Sequence, residues 1–203
     1  GDFANADGDL DEWPRDGWIP IANVVAGRGD HDGPRDAVGA FQVAWTEQGL
    51  IVAVRVQDDR FRPGPEGTDL WQGDSIEIQF DSNLAADFSD ANANMDDVQI
   101  GVALRENGRS LQMFRWLPME THGVLPVIGD GATNREGYVI EAMLPWNYLG
   151  MATPQEGSSF GFNVSISDND ARRDPEQQSV VSFSPVRSTY DDPTQWGTLV
   201  LMP

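Results

Sequence analysis

Phe41-Gln42-Val43-Ala44-Trp45-Thr46-Glu47-Gln48-Gly49-Leu50-Ile51-Val52-Ala53-Val54-Arg55-Val56 is the stretch that decides the fold. Apolar side chains stand at 41, 43 and 45 and again at 50, 52, 54 and 56, with Glu47-Gln48-Gly49 between the two runs. A period of two puts each run on one face of an extended chain, and a short Gly-containing link makes them a hairpin. The same alternation returns at Ile76, Ile78 and Phe80, and at Val98, Ile100, Val102 and Leu104. Arg105-Glu106-Asn107-Gly108 then turns the chain into 110–116, with Asn-Gly at its centre. Further strands are predicted over 123–128, 137–144, 160–167, 179–184 and 197–202. The only helical hint is a turn at Pro145-Trp146-Asn147-Tyr148-Leu149. About ten or eleven strands with almost no helical period predict an all-β chain, an antiparallel β-sandwich of jelly-roll-like form.

Composition narrows the function. The 203 residues suit a single domain over 1–203 with a sizeable core. No cysteine means no disulfide framework, no thiol nucleophile and no zinc ribbon. His31 and His122 are too few and too far apart for a multi-His metal centre. Asp and Glu total 33 against 13 basic residues, all arginine, for a net charge of −20. Such a field repels nucleic acid and anionic membrane surfaces. No apolar run approaches the roughly 20 residues of a spanning helix. The lysine-free, acidic composition fits a salt-rich habitat and a plain compositional bias equally.

The polar positions of the strands are the first functional signal. With Ile76, Ile78 and Phe80 facing inward, Glu77 and Gln79 face outward. Gln99, Asn163 and Ser165 follow by the same alternation. A face of Glu, Gln, Asn and Ser suits the hydroxyls of a sugar, and it also suits an ordinary solvated sheet. Trp71, in Thr68-Asp69-Leu70-Trp71-Gln72-Gly73-Asp74, and Tyr190, in Ser188-Thr189-Tyr190-Asp191-Asp192-Pro193, sit in polar loops. An aromatic there is either a lid on the core or a platform for the C–H face of a sugar ring. Segments 62–67, 82–96 and 168–178 read as long loops. Asn5, Asp7, Asp9 and Asp11 place an oxygen ligand at every second residue, a pattern that suits calcium at Asp7, Asp9 and Asp11 and equally suits a turn in which Asp caps backbone N–H groups.

The string Leu70-Trp71-Gln72-Gly73-Asp74-Ser75-Ile76-Glu77-Ile78-Gln79-Phe80-Asp81 resembles the signature of family 9 carbohydrate-binding modules. Matching pieces follow in order: Asp7-Gly8-Asp9-Leu10-Asp11-Glu12-Trp13, the hairpin 41–58, Gly137-Tyr138-Val139-Ile140-Glu141-Ala142 with Leu144-Pro145-Trp146, Gly161-Phe162-Asn163, and Asp192-Pro193-Thr194-Gln195-Trp196-Gly197. The resemblance implies a β-sandwich that clamps a terminal saccharide between two rings, here Trp71 and Tyr190, with polar contacts from Glu77 and Gln99. It departs from the family in having Tyr at 190 rather than Trp, and Gly101 where a sugar-contacting arginine is expected. Arg187, close to Tyr190 in sequence, is the candidate replacement donor. Similar domains carry structural calcium and are joined to a catalytic domain of a secreted, cell-surface or periplasmic glycan-active protein, which is the expected context here.

Other classes are weaker. Glu77 and Glu141 are the candidate paired carboxylates of a glycoside hydrolase, but Glu141 lies in a strand next to Tyr138 and Ile140 and reads as structural. A haem-binding relative on the same sandwich needs axial ligands, and Met95, Met113, Met119 and His122 form no recognisable pairing. A purely structural module is the remaining alternative.

Overall fold

In a computed structural model, residues 6–171, 175–186 and 192–203 are described. They form thirteen strands: β1 (Ile19–Ile21), β2 (Asn23–Ala26), β3 (Ala37–Trp45), β4 (Gly49–Asp58), β5 (Ser75–Asp81), β6 (Asp97–Leu104), β7 (Leu111–Leu117), β8 (Gly123–Val124), β9 (Gly129–Thr133), β10 (Gly137–Pro145), β11 (Ser159–Asp168), β12 (Ser179–Ser182) and β13 (Gly197–Val200). Every pairing is antiparallel. One sheet has five strands in the order β1-β3-β4-β10-β9. The other has eight, ordered β2-β12-β11-β5-β6-β7-β8, with β13 pairing the first half of β11 beside β12.

The expected antiparallel sandwich is what forms, and the reason is the alternation. Val52, Val54, Ile140 and Ala142 of the five-stranded sheet pack with Ile76, Ile78, Val98, Ile100, Val164 and Ile166 of the other in one continuous core. Burying each large side chain of this kind contributes about 1.5–3 kcal/mol. The hairpin 41–58 is β3–β4, paired Phe41↔Val54 and Val43↔Val52. Strand β4 is buried on its second face too: Ile51 and Ala53 pack with Trp13, Leu10 and Trp18 of the N-terminal segment.

Differences from the sequence reading lie at the sheet edges. The strand expected over 123–128 is only Gly123–Val124. Strands β1, β2 and β9 are additional; Gly129-Asp130-Gly131-Ala132-Thr133 has no alternating apolar row, yet it pairs with Tyr138–Ala142 of β10. The turn at 145–149 is present, closed by Tyr148 N–H to Pro145 O at 2.7 Å and Leu149 N–H to Trp146 O at 3.1 Å. No helix among the described residues is long and apolar enough to cross a membrane.

Candidate functional site

The outer face of the eight-stranded sheet carries the polar row. Across it, Ser165 pairs with Glu77, Glu77 with Gly101, and Gly101 with Phe114. One row along, Asn163 pairs with Gln79 and Gln79 with Gln99. The face is far drier than a solvated sheet: Ser75, Gln79, Asn163, Ser165 and Ser167 are buried, and Glu77 and Gln99 are each 9% exposed. Asn163 Nδ2 donates to Gln79 Oε1 at 2.9 Å, and Ser184 N–H to Asn163 Oδ1 at 2.9 Å. Gln99 Nε2 donates to Glu77 Oε2 at 2.8 Å. Burial raises the Glu77 pKa, and the Gln99 bond only partly opposes it.

Trp71 stands over this face on a 3-10 turn, Gly67–Gln72, and is 38% exposed. The turn is held from below. Leu70 is buried with Ala103 and Phe114, and Trp116 packs against them. Trp116 Nε1 donates to Thr68 O at 2.8 Å, Gly67 N–H to Gln112 Oε1 at 3.2 Å, and Ser167 Oγ to Trp71 O at 2.6 Å. The motif after Trp71 follows from this anchoring. Gly73 is required because Gly64 crosses it: a Cβ at 73 would lie 1.9 Å from Gly64 N. The Asp74 carboxylate accepts from Arg62 N–H and, at 2.8 Å, from Asn169 N–H, so one side chain ties three loop segments together.

Trp116 is the residue that sequence reasoning missed. Its ring covers Gly101, where a Cβ would stand 2.3 Å from Trp116 Cη2 and 2.8 Å from Leu70 Cδ1. An indole therefore fills the place where an arginine was expected. Its half-buried ring thus lies over the strand partner of Glu77, and it braces the turn on which Trp71 is exposed.

The remaining candidates fall elsewhere. Arg187 and Tyr190 lie outside the described residues. Asp7, Asp9 and Asp11 do not converge. Asp7 Oδ1 accepts from Asp9 N–H and Asp9 Oδ1 from Asp11 N–H, both at 3.0 Å, which is the turn-capping arrangement. Asp7 instead groups with Glu12 and Glu141. Glu141 Oε1 accepts from Trp13 Nε1 at 2.8 Å, and Oε2 from Asp7 N–H and Gly8 N–H at 2.9 and 3.0 Å. Its carboxylate is thus a clip for the N-terminal segment, on the outer face of the five-stranded sheet. Glu77 is on the outer face of the other sheet, so the sandwich core separates the two and they cannot flank one scissile bond. The groove of about 980 Å³ on the five-stranded side is lined by Trp18, whose ring is covered by the Arg55 guanidinium at 4.4 Å from its centroid.

For haem, the inventory is equally plain. Met113 is buried in the core. His122 Nδ1 lies 2.7 Å from Met119 O, three residues away in its own turn.

Comparison with known proteins agrees with the sandwich. A search of curated protein sequences finds no match. Among solved structures, the chain is similar to a family 9 carbohydrate-binding module of Caldicellulosiruptor kristjanssonii in complex with cellotriose. The TM-score is 0.67 at 17% identity, covering 97% of this chain and 88% of that one. The same organism's module in complex with glucose gives a TM-score of 0.65 at 17% identity, with 97% and 90% covered. The family model described as carbohydrate family 9 binding domain-like matches residues 6–203, from the clipped N-terminal segment through the last strand, and the chain belongs to that family.

Proposed function

We propose that this domain is a non-catalytic carbohydrate-binding module that holds a small or terminal saccharide on the outer face of the eight-stranded sheet. The observation that carries the reading is the exposed Trp71, fixed on a turn anchored to the same sheet face that carries the nearly buried Glu77–Gln99 pair. A rigid indole offers broad area for the C–H face of a sugar at little entropic cost. The carboxylate accepts from sugar hydroxyls, and the Gln99 bond fixes its orientation. Tyr190 is the second ring by resemblance, with Arg187, close to it in sequence, as the candidate donor, and Trp116 adds a wall over Gly101. Cellotriose and glucose, the ligands of the similar structures, make β-glucan fragments the first ligands to try. The larger context that fits is a secreted, cell-surface or periplasmic glycan-active protein in which the module delivers a linked catalytic domain.

Intrinsic tryptophan fluorescence during titration with glucose, cellobiose, cellotriose and a xylo-oligosaccharide tests this. A saturable change for one class, lost in Trp71→Ala and weakened in Glu77→Ala, is the expected result. No saturable change with any of them, or full affinity in both variants, removes the site; turnover of any of these sugars by the pure domain reverses the non-catalytic reading.

A further inference from the structure

The N-terminal segment covers only part of the outer face of the five-stranded sheet. The row Gln42, Ala53 and Glu141 holds that segment in place: Gln42 Nε2 donates to Pro14 O at 2.7 Å, and Glu141 Oε1 accepts from Trp13 Nε1 at 2.8 Å. The next two rows, Ala40–Arg55–Val139 and Val38–Gln57–Gly137, lie beyond it. Arg55 and Gln57 are exposed there, and Val38, Ala40 and Val139 are half-buried. These rows floor the groove of about 980 Å³, a size that takes a small ligand. Asp11 and Arg15 of the segment, with Asn134 and Glu136 of the link between β9 and β10, complete its lining.

Arg55 is the centre of the groove. Its guanidinium lies over the Trp18 ring, 4.4 Å from the centroid, and Trp18 in turn packs against the Ile51 and Ala53 cluster. Such a contact holds the planar group by its face and leaves its N–H edge uncommitted. Among the described residues no carboxylate pairs with Arg55 or Arg15, in a chain with 33 acidic residues, and no hydrogen bond engages the Gln57 amide.

Charge selects the ligand. The two guanidiniums balance the two carboxylates of Asp11 and Glu136, so the groove is neutral on a chain of net charge −20. An anionic ligand meets the repulsion of the whole chain, and a cation meets Arg55 at the centre. The apolar floor of Val38, Ala40 and Val139 offers no deep pocket for the large anchor of a protein partner. A neutral polyhydroxyl chain uses every part of the lining. Its C–H faces rest on the small apolar floor. Its oxygens accept from Arg55, Gln57 and Asn134, and its hydroxyls donate to Asp11 and Glu136.

We propose that this groove is a second saccharide site, which takes a neutral oligosaccharide with the Arg55 N–H edge as its main donor, so that the domain holds one sugar chain on each outer face. The sandwich core lies between this groove and Trp71, so one short chain cannot fill both sites, and the domain can bridge two chains. Because Arg55 covers the Trp18 ring, the sugar meets the guanidinium and not the indole. With no free ring to stack on, this is the weaker of the two sites, and it is silent in tryptophan fluorescence. It does not depend on what Trp71 contacts.

The test is two-dimensional NMR of the whole domain during titration with cellotriose, xylotriose and laminaritriose. The Arg55 Nε–H and the Gln57 and Val139 amide signals read the groove, and the Trp71 Nε1–H signal reads the other face. Saturable shifts of both sets are expected in the wild type, with the groove half-saturated at a concentration at least tenfold higher. Trp71→Ala is expected to keep the groove shifts at the same half-saturation. Arg55→Ala is expected to lose the Gln57 and Val139 shifts and to leave those of Trp71 unchanged. If Arg55→Ala loosens the N-terminal segment, Gln57→Ala is read at Arg55 and Val139 in the same way. Groove shifts without any at Trp71 would support this site and remove the Trp71 one. No saturable groove shift with any of the three sugars, loss of the groove shifts in a folded Trp71→Ala protein, or undiminished shifts in both groove variants overturns the assignment.

Discussion

The Trp116 indole occupies the space of a missing side chain at Gly101, with its Cη2 atom 2.3 Å from where a Cβ would be. The two residues sit on adjacent strands, and the same ring braces the Trp71 turn through Thr68 O. Gly101→Ala therefore has to push the indole and Leu70 aside. We expect a loss of about 1–3 kcal/mol, as in other overpacked sites, together with weaker sugar binding because the turn shifts. Denaturant midpoints and the fluorescence titration read the two effects. An alanine variant as stable as the wild type would show that Trp116 moves away without cost.

Glu77 couples the site to pH, and stability and binding move in opposite directions. Burial holds its folded pKa above the ordinary value of 4.5. A raised carboxyl pKa means folding favours the protonated form. Its stabilising contribution is complete below about 4.5 and is lost as pH rises through the raised folded value. Glu77→Gln should thus gain stability relative to the wild type between pH 4 and pH 7. Sugar binding by the wild type should strengthen over the same rise, because the ionised carboxylate is the better acceptor, and Glu77→Gln should lose that pH dependence. A stability difference between the two proteins that does not change with pH would refute the buried-carboxyl account.

Much of this was legible in the residues, and what was not has physical reasons. Strands β5, β6 and β11 each carry one apolar row opposite polar or small positions, so period two gives both the strand and the face, including Glu77 and Gln99. Strand β7 carries apolar residues on both rows, Leu111 and Met113 against Phe114 and Trp116, and β6 slips in register between Gln99 and Ile100. Alternation there cannot say which row is outside, and Trp116 was hidden. The Asp7, Asp9 and Asp11 period was visible, but each carboxylate is equally good at capping its own turn. Asp58, Asp168 and Asp170 look like ordinary strand-end residues. Only the packing of β4 and β11, from the two different sheets of one sandwich, brings them together.

Leu70 and Trp71 are neighbours with opposite duties, and this separates binding from folding. Leu70 is fully buried under the turn, whereas Trp71 points out at 38% exposure. Leu70→Ala should cost about 2–5 kcal/mol by cavity formation. Trp71→Ala should cost about 1 kcal/mol or less while removing the sugar-dependent signal. Chemical denaturation with calorimetric sugar titration distinguishes them. A large stability loss in Trp71→Ala would make that ring a lid on the core instead of a platform.

The last prediction concerns Glu141, whose two oxygens take three N–H groups: Trp13 Nε1, Asp7 N and Gly8 N. All three donors belong to the N-terminal segment that covers Ile51 and Ala53. Hydrogen bonds to a charged acceptor are worth about 1.5–3 kcal/mol each when one partner is deleted. Burial raises the Glu141 pKa, opposed by the bonds from Trp13, Gly8 and Asp7, so the net loss falls below the sum. Glu141→Ala should destabilise the domain by about 2–3 kcal/mol and expose the segment to proteolysis ahead of Trp18. The proposed sugar site at Trp71 lies beyond the core, on the other sheet, so its affinity at temperatures well below the transition should not change. Loss of sugar binding in a folded Glu141→Ala protein would mean that the two faces communicate through the core.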